Sequence, residues 1–572
     1  VSTSPPTPAV TTTPGAAIAA PTDERKRRVR QVIQSASLPE TPAATTCDTP
    51  VPPTGTADQR ATAYNDHGLV CADEGRYEQA RQDFDQAAVL APTDATIRGN
   101  RGFVHFYLDN YPAALADLDF AISGDPAELL WMAARGLIRA AVGRCPEGIA
   151  DLDGVVGQEA EEGWWWVARG LAYELCGDES AAAQDYQKAI DTSDEPDELA
   201  TALVNLGQLY LRQDRYAEAI SVFTQAIETE PSDAFAYIGR GAAHKALQQY
   251  QNALADFSQA IALEPDDPDG YELRGDAYYD DDHFQDALAD YQAALQRTVY
   301  TAASDLARLH ADLGWTYYAL GNVASCYDEL EQAIQLETQP YYYWSRGVLL
   351  GDEADYYLTA LEDLSVALSL GAESLTPEQK VRAYQQRGQI NVALADRPAA
   401  LADFASALAI IDVEAAEHAT TYNLRGLAYY DWEMYVEAED DFTEAIALVP
   451  QSIFYYNRAG VYQVQANYQA AVDDYTAAIA AASEPDDPLV AAYQGRGLAY
   501  LDLEQLDLAI GDFSFVLDRE PENGWVYYYR GVAYVRQELY NQARADLTEA
   551  QRLATDDLSL LEAVQKALAA LP

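Results

Sequence analysis

Residues 61–94 read ATAYNDHGLVCADEGRYEQARQDFDQAAVLAPTD, and this stretch decides the fold. Its small and aromatic positions are Tyr64, Gly68, Ala80, Phe84 and Ala87, with Pro92 at the end. Spacings of three and four residues place two short amphipathic helices on either side of a turn. Pro92 stops the second helix, because its ring lacks an N–H and the residue before it is pushed out of helical geometry.

Thirty-four residues on, the same positions hold Gly102, Ala114, Leu118, Ala121 and Pro126. The glycine anchor recurs at Gly136, Gly170, Gly207, Gly241, Gly275, Gly314, Gly347, Gly388, Gly426, Gly497 and Gly531, with Ala459 in its place once, which makes fourteen repeats. Alanine follows each anchor by twelve or thirteen residues, except at Gly148 and Cys326. Small residues at both anchors let helix A and helix B cross closely, and flanking aromatics fill the wedge. One pair cannot bury its own apolar faces, so consecutive pairs must stack. Intervals stretch to 37 residues before Gly207, 39 before Gly314, 41 before Gly388, and 38 before Gly426 and Gly497. The extra residues are expected in helix B or its outgoing loop.

Over about residues 61–557 this pattern resembles the tetratricopeptide-repeat (TPR) family. The resemblance implies an all-α solenoid, a right-handed superhelix of antiparallel helix pairs. Leu561, Val564 and Leu568 give residues 558–572 the apolar side of a capping helix. The resemblance also implies a protein-binding groove lined by positions 2, 5, 9 and 12 of helix A. Those positions hold Trp164, Tyr279, Trp315, Tyr318, Trp344, Tyr430, Tyr456, Trp525 and Tyr528, some of which are expected in packing between repeats. The chain has 40 tyrosines, more than the repeat core requires, and exposed Tyr and Trp suit Pro-rich segments.

Arginine stands directly before the anchor at Arg101, Arg135, Arg169, Arg240, Arg274, Arg346, Arg387, Arg425, Arg458, Arg496 and Arg530. Each of these eleven repeats carries Asp three residues after the alanine position, and the repeat with Leu206 has Val222 there instead. Joint presence and joint loss predict that the two side chains meet between helices A and B. The alternative is a row of arginines that binds an anionic ligand.

Residues 1–60 differ in kind. They hold 26 Ser, Thr or Pro and cannot build a core alone. We read them as an extended arm, with a short helix over about 23–34 and a basic run at Arg25, Lys26, Arg27, Arg28 and Arg30. Their net charge is +1 in a chain of −56, which leaves −57 on the remainder. The chain opens on Val1, so either a targeting segment was removed, which implies export, or the chain was trimmed.

That acidity argues against nucleic acid and anionic membrane surfaces as partners. No run approaches the length and apolarity of a membrane span. Six histidines without HExxH or CxxC give no metal centre, no cofactor motif is present, and an enzyme is not expected. Gly239-Arg240-Gly241 and Gly495-Arg496-Gly497 lie inside predicted helices, so they fail as dinucleotide loops. With only five lysines, the family's lysine-rich peptide clamp cannot be placed. Cys145 opens helix B of the third repeat and Cys176 closes helix A of the fourth, ends that antiparallel packing brings together, so a disulfide is expected. Cys71 and Cys326 look like core residues, and Cys47 has no evident partner.

The sequence therefore suggests a secreted or cell-surface (or periplasmic) scaffold that binds protein. Its partner is expected to be other copies of itself, as a homo-oligomer or filament joined by arm-in-groove contacts. An adaptor for a different basic or Pro-rich protein is the alternative.

Overall fold

The computed structural model describes residues 46–48, 51, 54–159, 162–297, 303–370, 374–482, 489–555 and 557–572. The basic run and the short helix expected near it lie outside these residues. Twenty-nine α-helices and one 3₁₀ turn occur among the described residues, with no strand. They divide into two compact units, residues 1–301 and 302–572. The first unit carries seven helix pairs, from Ala57–Asp73 with Tyr77–Leu90 to Pro268–Asp280 with Phe284–Leu295. The second carries seven more, from Ala303–Ala319 with Val323–Leu336 to Gly524–Arg536 with Tyr540–Leu553, and then the helix Leu558–Ala569. Each unit is an all-α stack of the TPR type.

Local chemistry sets the helix boundaries. Thr56 and Thr376 form capping boxes with Gln59 and Gln379. Asp94, Asp233, Asp267 and Asn523 accept hydrogen bonds from the first free N–H groups of their helices. The turn between helices A and B needs a left-handed residue, which Gly75, Gly143, Gly177 and Gly321 supply without steric cost.

The anchor explains the packing. A methyl group on Gly241 would lie 2.7 Å from Phe257, and one on Gly207 would lie 2.7 Å from Phe223. Elsewhere the facing residue is Leu or Tyr, as at Gly102 with Leu118 and Gly170 with Tyr186. These partners are the fully buried centre of each repeat: Phe223, Phe257, Phe404, Phe513 and Tyr186 are all 0% exposed.

Two expectations need correction. The longer intervals do not lengthen helix B, which keeps 12 to 14 residues ahead of each long interval. Before Gly497 helix A also keeps 14 residues, so there the extra residues fall between Ala481 and Leu489, where the outgoing loop is expected. At the other four, helix A extends to 17 residues instead: Pro196–Arg212, Ala303–Ala319, Pro377–Ala393 and Ala415–Asp431. Helix A can grow at its N-terminal end without touching the crossing, whereas extra turns in helix B would displace the next pair. Cys71, read from sequence as an ordinary core residue, is bonded to Cys47. That bond, a Cys47 N–H to Glu74 hydrogen bond of 3.0 Å and a 2.6 Å Arg76–Asp48 ion pair hold residues 47–48 against the first helix pair.

Candidate protein-binding surface

The arginines come first, because they decide which side chains are left for a partner. Arg240 donates from Nε and Nη2 to the two carboxylate oxygens of Asp256, at 2.9 and 2.7 Å. The other ten arginines make the same two-pronged bond to their aspartates. A planar fork matched to a carboxylate is the geometry that makes a partly buried pair worthwhile. Hydrogen bonding to Asp256 holds the Arg240 guanidinium above its ordinary pKa. Where both members are missing, Leu206 and Val222 pack as an apolar pair, 2% and 9% exposed.

Two repeats use histidine instead. His67 occupies the arginine slot of the first repeat, and its Nδ1 lies 2.8 Å from Asp83. In the repeat with Leu313 before the anchor, His310 Nδ1 lies 2.7 Å from Glu329.

Sequence reading missed the third prong. In ten of the eleven, all but Arg425, Nη1 of the same arginine reaches back into helix B of the preceding repeat. Arg101, Arg135 and Arg169 reach Asp85, Asp119 and Asp153 at 2.9, 2.7 and 2.8 Å. Arg240, Arg274 and Arg530 reach the hydroxyls of Thr224, Ser258 and Ser514 at 3.3, 3.0 and 3.0 Å. Each acceptor lies two residues after the preceding repeat's aspartate position, so the signal was present in the sequence. The arginines therefore clamp one repeat to the next, and a free anion-binding row is not what they form.

The same clamp absorbs many tyrosines. The guanidinium carbons of Arg240, Arg387, Arg425, Arg496 and Arg530 sit 5.0 to 5.7 Å from the ring centres of Tyr237, Tyr384, Tyr422, Tyr493 and Tyr527. Each ring lies three residues earlier on the same helix and covers the cation. The tyrosine excess is thus partly structural and overstated the groove.

The nine aromatics assigned to the groove separate accordingly. Trp344 is a correction: it is 6% exposed, packs with Ala360, Leu364 and Ala383, and donates its indole N–H to Gln379 O at 2.9 Å. A ring inserted between consecutive helices A has no face left for a partner. The other eight are half-buried. Trp315 donates to Ser345 Oγ at 3.3 Å and Trp525 to Asp557 at 2.8 Å, so both indole donors are engaged within the chain. Tyr279, Tyr430 and Tyr456 rest against Phe284, Tyr435 and Tyr475, at 5.2, 5.6 and 5.8 Å between ring centres. Tyr528 meets Trp525 edge-on at 5.8 Å. Burial pushes the Tyr318 hydroxyl up. The backbone N–H of Trp164 donates to the buried Glu198. Trp164 and Tyr279 belong to the first unit, and the remaining seven to the second. Half-buried rings held by neighbours are rigid and amphipathic.

Lysine contributes little to that surface. Lys245 lies 3.2 Å from Asp276 and 3.3 Å from Asp280 on the next helix A. Burial works against its charge, but the two carboxylates outweigh it and hold its pKa above the ordinary value. Cys145 and Cys176 are joined, tying the third repeat to the fourth. Cys326 is the one free cysteine among the described residues; burial alone pushes its thiol up to about 12, which leaves it unreactive.

Comparison with known proteins agrees with the pattern. Models described as tetratricopeptide repeats match residues 61–94, 161–229 and 495–557, and one described as a TPR repeat matches 243–282. None of these describes a catalytic family. No curated protein matches. Similar solved structures include a tetratricopeptide repeat protein from Parabacteroides merdae, 18% identical, covering 45% of this chain and 99% of that one with a TM-score of 0.36. The Cut9-Hcn1 hetero-tetramer of APC/C is 13% identical over 89% of this chain and 98% of that one, with a TM-score of 0.41. Yeast Tom70 is 16% identical over 83% and 95%, with a TM-score of 0.35. No helix among the described residues is long and apolar enough to cross a membrane.

Proposed function

We propose that this tetratricopeptide-repeat scaffold, whose repeats serve protein–protein interaction, is exported and assembles with copies of itself through its N-terminal arm. The observation that carries the reading is charge. Five of the chain's 36 cationic residues stand within residues 25–30, on an arm of net charge +1, and residues 61–572 carry −57. Such opposition steers the arm toward the body of another copy and is screened by salt. The arm's ten prolines favour extended backbone, which loses less entropy on docking and suits half-buried Tyr and Trp rings. A contact in which each chain gives an arm and receives one is heterologous, and it extends into a filament unless the rotation closes a ring.

Export is supported by the two disulfides, Cys47–Cys71 and Cys145–Cys176, since such bonds persist in oxidising compartments. Labelling intact producing cells with a membrane-impermeant reagent tests it; recovery of label only after lysis goes against the secreted or surface location.

Assembly is tested by sedimentation of the full chain and of a variant changed at Arg25, Lys26, Arg27 and Arg28 to Glu. The parent is expected to form higher-order species that dissolve in high salt, and the variant to stay a folded monomer. Equal assembly of the two removes the arm-exchange reading, and a parent that remains monomeric at high concentration removes self-assembly itself. Recruitment of a different basic or Pro-rich protein then becomes the account of the groove.

A further inference from the structure

The first repeat departs from the others at two linked positions. Eleven repeats have Arg before the anchor, whereas this one has His67. Four residues further, where Arg274, Arg425 and Arg496 are followed by Tyr278, Tyr429 and Tyr500, it has Cys71. Arginine and tyrosine hold a repeat together; histidine and cysteine are metal ligands.

These residues converge with two others. His67 Nδ1 lies 2.8 Å from Asp83 Oδ2, and Cys71 Sγ lies 3.8 Å from each of those atoms. Cys47 joins them through its bond to Cys71, and one ligand atom from each of Cys47, His67 and Cys71 lies within 4.8 Å of the others. The site is enclosed: Cys47 is 5% exposed, Cys71 0% and Asp83 5%. The His67 side chain is 10% exposed, and its Nε2 is buried without a hydrogen-bond partner among the described residues. The Asp83 carboxylate can only accept, so this contact places the ring proton on Nδ1 and leaves Nε2 as a buried lone pair.

We propose that reduction of the Cys47–Cys71 bond converts this cluster into a tetrahedral Zn²⁺ site, with Cys47, Cys71, His67 and Asp83 as ligands. Zinc bonds of about 2.0 Å to N or O and about 2.3 Å to S give tetrahedral edges of about 3.3 to 3.8 Å. The two 3.8 Å separations from Cys71 need to close by only about 0.3 Å to reach the sulfur-to-nitrogen and sulfur-to-oxygen edges. His67 and Asp83 need to part by about half an ångström, and breaking the disulfide frees Cys47 to move off Cys71. The reductant is a dithiol. It delivers two electrons and two protons, leaving Cys47 and Cys71 as thiols and becoming a disulfide itself. Zn²⁺ then displaces both thiol protons to solvent, the His67 ring proton moves from Nδ1 to Nε2 so that Nδ1 can bind, and the neutral ring and ionised Asp83 complete the set. Enclosure favours a cation that cancels most of the ligand charge, and the acidic body concentrates divalent cations. The root of the arm is thereby tied to the first helix pair in either oxidation state, by a covalent bond or by a metal.

The test uses the full chain, reduced with excess dithiol that is removed before titration with Co²⁺ and then Zn²⁺. One metal per chain is expected, with sulfur-to-cobalt charge transfer and the strong visible bands of tetrahedral coordination. Cys47→Ser and His67→Gln should each weaken binding by more than about a hundredfold, and Asp83→Asn by about ten- to a hundredfold. The oxidised chain should not bind, and Cys145→Ser should keep its metal because the other cysteine pair is not involved. Helical circular dichroism on each variant separates lost ligands from lost fold. Absence of stoichiometric binding by the reduced parent, binding that survives both Cys47→Ser and His67→Gln, or loss of the metal in Cys145→Ser overturns the proposal.

Discussion

Arg240 and Asp256 meet through two parallel N–H···O bonds, while Nη1 of the same guanidinium reaches Thr224 of the preceding repeat at 3.3 Å. One side chain thus joins helix A to helix B and one repeat to the next.

This pair suits a double-mutant cycle, because its third partner is a neutral hydroxyl. The Arg240 side chain is 21% exposed and that of Asp256 8%, so part of the interaction is screened by water. Arg240→Leu should cost about 2–3 kcal/mol, chiefly from leaving Asp256 buried and unpaired. Adding Asp256→Val should recover part of that loss, since Leu206 and Val222 occupy the same slots in another repeat. Urea midpoints at unchanged slope measure it, and strictly additive losses would mean that the pair is not coupled.

The glycine anchor predicts a contrast between two substitutions. Gly241→Ala places a methyl group 2.7 Å from the Phe257 ring and should destabilise by about 1–3 kcal/mol. Gly460 lies in the helix Ser452–Val464 with nothing within 4 Å of its added methyl. Gly460→Ala should therefore stabilise, by up to about 1 kcal/mol. Thermal unfolding of the two variants should move in opposite directions.

Removal of the Cys145–Cys176 bond with Cys145→Ser should lower stability by about 3–4 kcal/mol, the entropy of closing a loop of that size. The two positions are 31 residues apart. Denaturation of the variant with and without reductant checks it, since the parent should fall toward the variant only when reduced.

His105 predicts a pH dependence. Burial lowers its pKa below the ordinary 6.5, and Arg101 adds to that, against the opposing pull of Asp117. The unfolded chain therefore binds the proton at higher pH than the folded one. Stability should fall as pH drops from 6.5 toward the folded pKa, and His105→Leu should flatten that part of the profile. Urea midpoints of parent and variant across this window give the comparison; parallel profiles would remove His105 as the cause.

The repeat, its anchor and the Arg–Asp pairing were legible because each recurs at a fixed offset, and recurrence exposes even a single loss such as Leu206 with Val222. The backward reach to Asp85 or Ser258 crosses a repeat boundary, so only an offset measured from the preceding aspartate reveals it. Tyr237 and Tyr271 were harder to place, since a ring over a guanidinium and a ring facing a partner have the same sequence signature. Trp344 failed for a related reason: the groove position and the inter-repeat position are one residue type on one helix face. The partner of Cys47 lay beyond reach, because the arm has no periodicity from which to predict its contacts.

The central claim is that the arm of one chain lies on the acidic body of another. Equal amounts of isotopically light and heavy chains, mixed and treated with a zero-length amine–carboxylate cross-linker, test it directly through Lys26, the one lysine in residues 1–60. The account predicts cross-links from Lys26 of a light chain to Asp or Glu in residues 61–572 of a heavy chain, which disappear in high salt. Links confined to chains of one isotope, or no links from Lys26 to the body, would contradict it.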